Sequence, residues 1–121
     1  MTSIPLAPGS RFLFQGDSIT DGSRNRPDPA SLGSGYAFIT AGRAMLRFPE
    51  RRLTFLNRGM SGNRAGDLVE RWTTDAIALR PDVVSILIGI NDVWRRFDRN
   101  DPTSVETYDR NYRLVLERLR G

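Results

Sequence analysis

The chain has 121 residues, with 18 basic residues against 14 acidic ones and a formal net charge of +4. All the basic residues are arginine, and the chain contains neither cysteine nor histidine. These counts exclude a disulfide framework, a cysteine-based zinc site, a catalytic cysteine, and any mechanism whose histidine comes from this chain. The length is that of one domain, and we expect residues 1–121 to belong to a single domain.

Charge distribution and the N-terminus limit the expected partners and location. The arginines are scattered and form no basic run of five to eight residues, so we expect no nucleic-acid partner. Residues 1–10 have neither a basic segment nor an apolar core, which predicts no secretory signal and a cytoplasmic location. The longest apolar run, residues 83–90, is far shorter than the roughly 20 residues that span a bilayer, so no membrane association is predicted.

The first half of the chain alternates strand and helix patterns. Residues 11–15 predict a strand, and a Pro/Gly/Ser-rich loop follows over residues 23–35. Residues 36–48 predict a helix that ends before Pro49. Its apolar spacing indicates a buried face made of Phe38, Ala41, Met45 and Phe48. A second strand over residues 53–57 and a glycine-rich loop over residues 58–66 come next.

The second half continues the alternation. A helix over residues 67–79 carries one apolar face, and residues 83–88 form an apolar, β-branched run typical of a strand buried on both faces. Residues 98–102 predict a loop. Thr103 and Glu106 form a capping-box pattern that opens a third helix, for which Gly121 is the predicted C-cap. Its predicted inner face consists of Val105, Tyr108, Tyr112, Val115, Leu116 and Leu119.

This β-α-β-α-β-α order predicts an α/β fold with a parallel sheet and right-handed crossovers. Ligand sites in such folds lie beyond the carboxyl ends of the strands. Three segments occupy those positions, and each is rich in small and polar residues: Gly16-Asp17-Ser18-Ile19-Thr20-Asp21, Asn57-Arg58-Gly59-Met60-Ser61-Gly62-Asn63, and Gly89-Ile90-Asn91-Asp92-Val93-Trp94.

Each segment taken alone has two interpretations. Ser18 is either a nucleophile or part of a turn that caps a helix. The Gly62 N–H is either an oxyanion donor or part of an ordinary glycine-rich loop, and the Asn91 amide is either a donor or a turn former. Trp94 either stacks on a substrate ring or covers the end of the sheet.

Taken together, the three segments resemble the SGNH (GDSL-type) hydrolase family. The stretches LGSGY, RGMSGNRAGDL, RW and PDVVSILIGINDVWR resemble its acetylxylan and carbohydrate acetylesterase branch, and the resemblance covers nearly the whole chain. It implies a flavodoxin-like, three-layer α/β/α sandwich with strand order 2-1-3-4-5. This chain supplies only about three of those strands, which would make it the N-terminal portion of the domain.

The resemblance also implies roles for individual residues. Ser18 corresponds to the nucleophile that forms an acyl-enzyme. The Ser18 N–H, the Gly62 N–H and the Asn91 side chain correspond to the oxyanion hole. Asp17, Arg64 and Trp94 are candidate substrate contacts, although Asp17, like Asp21 and Asp92, is expected mainly to shape the structure. The implied partner is a small ester, an acetylated sugar above all. No cofactor or metal is implied, and a homo-oligomer is left open.

The chain departs from the family pattern at one point. The family completes its site with an Asp-x-x-His block, and no histidine occurs here. Asp101 and Asp109 are poor substitutes, because a carboxylate of ordinary pKa is a weak base for a serine hydroxyl. A truncated chain, a base supplied by a partner chain, and a pseudoenzyme are the three explanations. In a truncated sheet, the third strand would become an exposed edge.

The sequence therefore predicts a serine esterase for short acyl esters of xylo-oligosaccharides or other carbohydrates, with this chain inactive or nearly so by itself. Three alternatives stay open. The first is a lysophospholipase or thioesterase of the same family, which the lack of a long apolar lid segment disfavours. The second is a non-catalytic module that binds a glycan or ester. The third, a nucleotide-binding domain, is disfavoured because no phosphate-binding glycine motif follows the first strand.

Overall fold

The computed structural model describes residues 7–121 of the chain. Residues 1–6, on which the prediction about a secretory signal partly rests, lie outside this range. The main elements in chain order are β1 (Arg11–Gly16), α1 (Ser18–Asp21), α2 (Tyr36–Arg47), β2 (Thr54–Asn57), α3 (Ala65–Asp75), β3 (Val83–Leu87), α4 (Ile90–Asp98) and α5 (Val105–Arg120). Short 3₁₀ turns at Pro49–Arg51 and Ile77–Leu79 follow α2 and α3.

The three strands form one parallel sheet in the order β2-β1-β3. Phe12 of the central strand lies opposite Phe55 on one side and Val83 on the other. Helix α2 packs on one face of the sheet, and α3 and α5 pack on the opposite face. The predicted α/β/α architecture, the parallel sheet and the relative order of the three strands are confirmed. All three carboxyl ends meet at one edge, as parallel strands require.

The face under α3 and α5 contains the larger core. Trp72 and Leu68 of α3 are fully buried against Leu13 of β1, and Val115 of α5 completes the layer. The sequence predicts an inner face of Leu68, Trp72, Ala76 and Leu79 here, and it is confirmed, with Ala76 and Leu79 lying just beyond the end of α3. The prediction for α5 is only partly right, because Val105 is 78% exposed and Leu116 is 40% exposed.

Helix α2 presents alanines to the sheet. Ala37, Ala41 and Ala44 pack against aromatic side chains of the strands, where Phe14 and Phe55 have ring centroids 6.3 Å apart. The predicted inner face was only partly right: Ala41 is fully buried, but Phe38 is 56% exposed and Met45 is 45% exposed. Small side chains on the helix leave room for bulky rings on the strands, and close packing selects this pairing over two bulky layers.

Strand β3 forms one edge of the three-stranded sheet. Val84 and Ile86 pack toward α3 and α5. On the other face, Ser85 is exposed and Leu87 is 46% exposed, so the prediction of burial on both faces was wrong. The continuous apolar run has a packed layer on only one of its two faces.

Three local features differ from the sequence predictions. Helix α4 was not predicted as an element; its apolar residues Ile90, Val93, Trp94 and Phe97 recur at helical spacing, but all four are exposed. Helix α5 is capped by Ser104, whose Oγ accepts the Thr107 N–H, and not by Thr103. Helix α3 begins two residues earlier than predicted. Among the helices within residues 7–121, none is both long and apolar enough to span a bilayer.

Candidate active site

The turn after β1 presents Ser18 at the carboxyl edge of the sheet. Asp17 is buried and caps α1, its Oδ1 accepting the Ile19 N–H over 3.0 Å. Ser18 is the first residue of that helix, and its side chain is exposed. A β-carbon at Gly16 would collide with the Leu87 carbonyl oxygen and with Thr20 Oγ1. Glycine at this position therefore permits the tight turn that carries Ser18.

The loop after β2 is fixed against this turn by two hydrogen bonds that its backbone N–H groups donate. The Met60 N–H donates to the Gly16 carbonyl over 3.0 Å, and the Ser61 N–H donates to Asp21 Oδ2 over 3.3 Å. Gly62 follows with φ of +85°, a conformation that favours glycine. The cluster predicted from the second strand end is thus attached directly to the first.

Asn91 connects the third strand end to the same loop. It is the second residue of α4 and is only 8% exposed. Its Nδ2 donates to the carbonyl oxygen of Asn63 over 3.0 Å. An amide nitrogen carries two hydrogens, so this bond fixes the side chain next to Gly62 while leaving a second N–H.

These contacts assemble a set of candidate oxyanion donors. Among residues 7–121, neither the Ser18 N–H nor the Gly62 N–H has a hydrogen-bond partner. With the second N–H of Asn91, three donors lie beyond the carboxyl ends of the three strands: one at the start of α1, one in the loop after β2 and one at the start of α4. Donors fixed in advance stabilise a developing negative oxygen far better than mobile ones do, because no reorganisation is needed when the charge forms.

Arg71 of α3 holds these loops together through hydrogen bonds. The sequence analysis did not identify this role. Its guanidinium donates to the Gly16 carbonyl, to the Arg58 carbonyl and to Asn63 Oδ1, the last over 2.7 Å. It also forms an ion pair with Asp75 at 3.2 Å. Burial lowers the pKa of Arg71, and Asp75 opposes that shift. Arg71 and Trp72 form the RW stretch that the sequence analysis quoted for the family resemblance. That stretch was the one feature of the sequence that pointed to Arg71.

Asn57 is a second residue whose role the sequence analysis did not identify. It is fully buried at the end of β2, and its Nδ2 donates to the carbonyls of Thr20 and Leu32 at 2.7 and 2.9 Å. Its Oδ1 accepts the Gly59 N–H over 2.9 Å. One amide thereby joins three loops, so Asn57 fixes their relative positions.

Two buried aspartates lie close to the site, and their pKa values are shifted in opposite directions. Burial raises the pKa of Asp21, but hydrogen bonds from Arg26, Ser61 and Arg24 more than offset this, and its pKa is lowered overall. Burial raises the pKa of Asp92, and the hydrogen bond from the Ala65 N–H offsets only part of the increase. Asp92 Oδ2 accepts the Ala65 N–H at the start of α3 over 3.1 Å.

The three candidate substrate contacts lie in different environments. Asp17 is 1% exposed and is engaged in capping. Arg64 forms an ion pair with Asp101 at 2.8 Å, and Trp94 is 55% exposed on α4. Within residues 7–121, no group of His, Cys, Asp or Glu side chains is arranged to hold a metal ion.

Comparison with known proteins identifies the family. The model of the GDSL-like Lipase/Acylhydrolase family matches residues 14–121. The chain belongs to this family. An acetylxylan esterase from Geobacillus stearothermophilus is 42% identical over 120 residues, which cover 96% of this chain and 55% of that enzyme.

Solved structures of GDSL-family relatives share the fold. The crystal structure of Axe2, the acetylxylan esterase from Geobacillus stearothermophilus, matches with a TM-score of 0.87 and 41% identity over 94% of this chain and 56% of Axe2. LAE5, an alpha/beta hydrolase from the metagenome of Lake Arreo in Spain, matches with a TM-score of 0.88 and 39% identity, covering 93% of this chain and 56% of LAE5. The chain spans a little over half the length of these relatives.

Three further Axe2 structures are described as catalytic mutants, in which alanine replaces a serine, an aspartate or a histidine.

Proposed function

We propose that this chain carries the nucleophile and oxyanion-hole part of a serine esterase that hydrolyses short acyl esters, acetyl esters above all, on xylo-oligosaccharides or related carbohydrates. The observation that carries the proposal is the hydrogen bond from Asn91 to Asn63, because it fixes a side-chain donor beside the Gly62 N–H. Acetylxylan esterase relatives support the choice of acyl group and of carbohydrate.

The proposed reaction begins when Ser18 Oγ adds to the carbonyl carbon of the ester. The carbonyl π electrons move to its oxygen, and that oxyanion is held by the Ser18 N–H, the Gly62 N–H and the Asn91 amide. Collapse of the tetrahedral intermediate breaks the bond to the alcohol oxygen, which leaves with a proton, and Ser18 is acylated. Water then attacks the acyl-enzyme through a second oxyanion at the same position, releasing the acid and restoring the serine.

Both halves of this reaction need a base for a proton, and the chain has no histidine to provide one. The carboxylates of Asp101 and Asp109 are occupied by ion pairs with Arg64 and Arg113. We therefore expect the base to come from outside these residues, and the chain alone to be inactive or nearly so. An intact oxyanion hole leaves a slight residual acceleration even without the base.

Hydrolysis of a short aryl acetate tests the proposal, with Ser18→Ala as the control. Under the proposal, any rate above background disappears in Ser18→Ala and falls as the acyl chain is lengthened from acetyl to octanoyl. A rate that exceeds background and is equal in the two proteins contradicts the assignment of Ser18. A preference for long acyl chains instead favours a lysophospholipase or thioesterase of the same family.

The absence of histidine also favours a second candidate, a module that binds a glycan or ester in the same cleft without turning it over. Calorimetry with an acetylated xylo-oligosaccharide separates the two. Binding without release of acetate, unchanged in Ser18→Ala, supports the binding module. Slow acetate release that depends on Ser18 supports the esterase.

A further inference from the structure

A second cavity lies beside the candidate active site, next to the β2 edge of the sheet. Its volume is about 380 Å³, within the range of small-molecule sites. Three arginines and one carboxylate supply its charged walls, and the lining consists of Arg24, Arg26, Pro27, Pro29, Arg58, Met60 and Asp75. Met60 joins the cavity to the active-site turn, because its N–H donates to the Gly16 carbonyl.

The positive charge of this cavity is only partly neutralised by the protein. Arg58 donates to the carbonyls of Pro29 and Asn57 and, among residues 7–121, forms no ion pair. Asp75, the one acidic residue in the lining, is already paired with Arg71 at 3.2 Å. Asp21, outside the lining, pairs with Arg26 at 2.9 Å.

Arg24 is the least expected member of the group, because it is 8% exposed. Its Nε donates to the Gly59 carbonyl over 2.9 Å and lies 3.6 Å from Asp21 Oδ1. Its two Nη groups have no hydrogen-bond partner within the described part of the chain. Burial lowers the pKa of Arg24; the Asp21 carboxylate opposes this shift, and the charges of Arg26 and Arg58 add to it. Asp21 supplies one nearby negative charge, and the two Nη groups remain available to an anion in the cavity that Arg24 lines.

We infer that this cavity binds a small oxyanion group, a carboxylate or phosphate, through Arg24, Arg26 and Arg58. Guanidinium groups form paired, charge-assisted hydrogen bonds with both kinds of oxyanion. Two sources of the anion are consistent with the cavity: an acidic substituent on the carbohydrate whose ester reaches Ser18, or a free anion. The first source rests on the proposed function, whereas the site itself does not.

Binding of sodium glucuronate, measured by NMR titration of the intact chain at low ionic strength, tests the inference. Neutral glucose is the matched probe, and inorganic phosphate is the competitor. We expect glucuronate to bind at least tenfold more tightly than glucose, with the largest shifts at Arg58 and Met60. Displacement by phosphate assigns the site to oxyanions in general. Binding that phosphate does not displace assigns it to a sugar-linked carboxylate.

Arg58→Gln is the main variant. Arg26→Gln alters an exposed side chain, so it tests the cavity even if Arg58→Gln fails to fold. Each is expected to weaken glucuronate binding about tenfold, the scale of one charge-assisted hydrogen bond. Arg113→Gln, on the exposed face of α5, is the control and leaves binding unchanged. Equal affinity for glucuronate and glucose, or wild-type affinity in both cavity variants, overturns the inference. No ester is turned over, so a failure of the esterase proposal leaves this outcome unaffected.

Discussion

Asn91 donates its side-chain amide to the carbonyl oxygen of Asn63 over 3.0 Å, and this bond joins the third strand end to the loop that carries Gly62. The two asparagines lie 28 positions apart in the chain. Their contact exists because parallel strands end at one edge of the sheet, so that successive loops meet there. The first prediction follows from this contact.

Replacing Asn91 with alanine removes one oxyanion donor and leaves the Asn63 carbonyl without its partner. We expect the rate of acyl transfer to Ser18 to fall about 10²–10³-fold, the usual loss for one such donor. Single-turnover acylation by an aryl acetate measures it. Asn111→Ala, on helix α5, is the control and should not change the rate. An Asn91→Ala rate within twofold of wild type contradicts the role of this side chain.

Gly62 and Gly42 form a matched pair for testing the loop conformation. Gly62 has φ of +85°, and a β-carbon there would meet no atom closer than 3.7 Å. Glycine is therefore favoured by the backbone conformation and not by a lack of space. Gly62→Ala should lower the free energy of unfolding by about 1–2 kcal/mol. Gly42 lies in α2 with open space around it, and Gly42→Ala should raise it by about 1 kcal/mol. Urea unfolding measures both, and equal signs would contradict the assignment.

Arg71 is predicted to be irreplaceable even by lysine. Its guanidinium contacts the Gly16 carbonyl, the Arg58 carbonyl and Asn63 Oδ1 at once, a geometry that a single ammonium cannot reproduce. We expect Arg71→Lys to lower the free energy of unfolding by about 2–3 kcal/mol and to slow acylation of Ser18. Arg110→Lys, on exposed helix surface, serves as the control. A stability loss no larger than the control's shows that Arg71 does not hold the loops.

Asp21 should make stability depend on acid pH. Its pKa in the folded protein lies below the ordinary value of 3.8, so its contribution is present above that pH and is lost as the pH falls through the folded pKa. Asp21→Asn should therefore lower the free energy of unfolding by about 2–4 kcal/mol at neutral pH. The difference in this free energy between the variant and wild type should shrink below about pH 4. Unfolding curves from pH 3 to 7 test this.

Asp109→Asn, which breaks an exposed ion pair on α5, is the control for Asp21 and should change stability by less than about 1 kcal/mol. A gap between wild type and Asp21→Asn that stays constant from pH 3 to 7 would show that the carboxylate charge does not matter.

The parallel sheet was predictable because strand and helix patterns alternate along the chain. The three loops were predicted to meet because parallel strands end at one edge of the sheet. The face of α2 was not, since its apolar residues offer two possible faces and the choice depends on the aromatic rings of β1 and β2. Arg71 and Asn57 were missed for another reason. Their partners are mainly backbone carbonyls, which leave no pattern in the sequence.

Helix α4 was missed because residues 89–94 were interpreted only as a cluster beyond the end of the third strand, although Ile90, Val93, Trp94 and Phe97 recur at helical spacing. The roles of Ser18, Gly62 and Asn91 came from the family resemblance. Within residues 7–121, the structure adds the hydrogen bonds that hold their loops together. The roles themselves stay predictions, as does the assignment of the chain to the N-terminal portion of its domain.

Trapping the acyl-enzyme tests the central claim most directly. The intact chain is incubated with an aryl acetate, with and without added imidazole as a substitute base, and tryptic peptides are analysed by mass spectrometry. The account predicts that Ser18 becomes acetylated and that imidazole accelerates this reaction. Acetylation should be slower in Asn91→Ala, and in Ser18→Ala no other serine should become acetylated instead. Acetylation spread over several serines, at rates that Asn91→Ala does not alter, would contradict it.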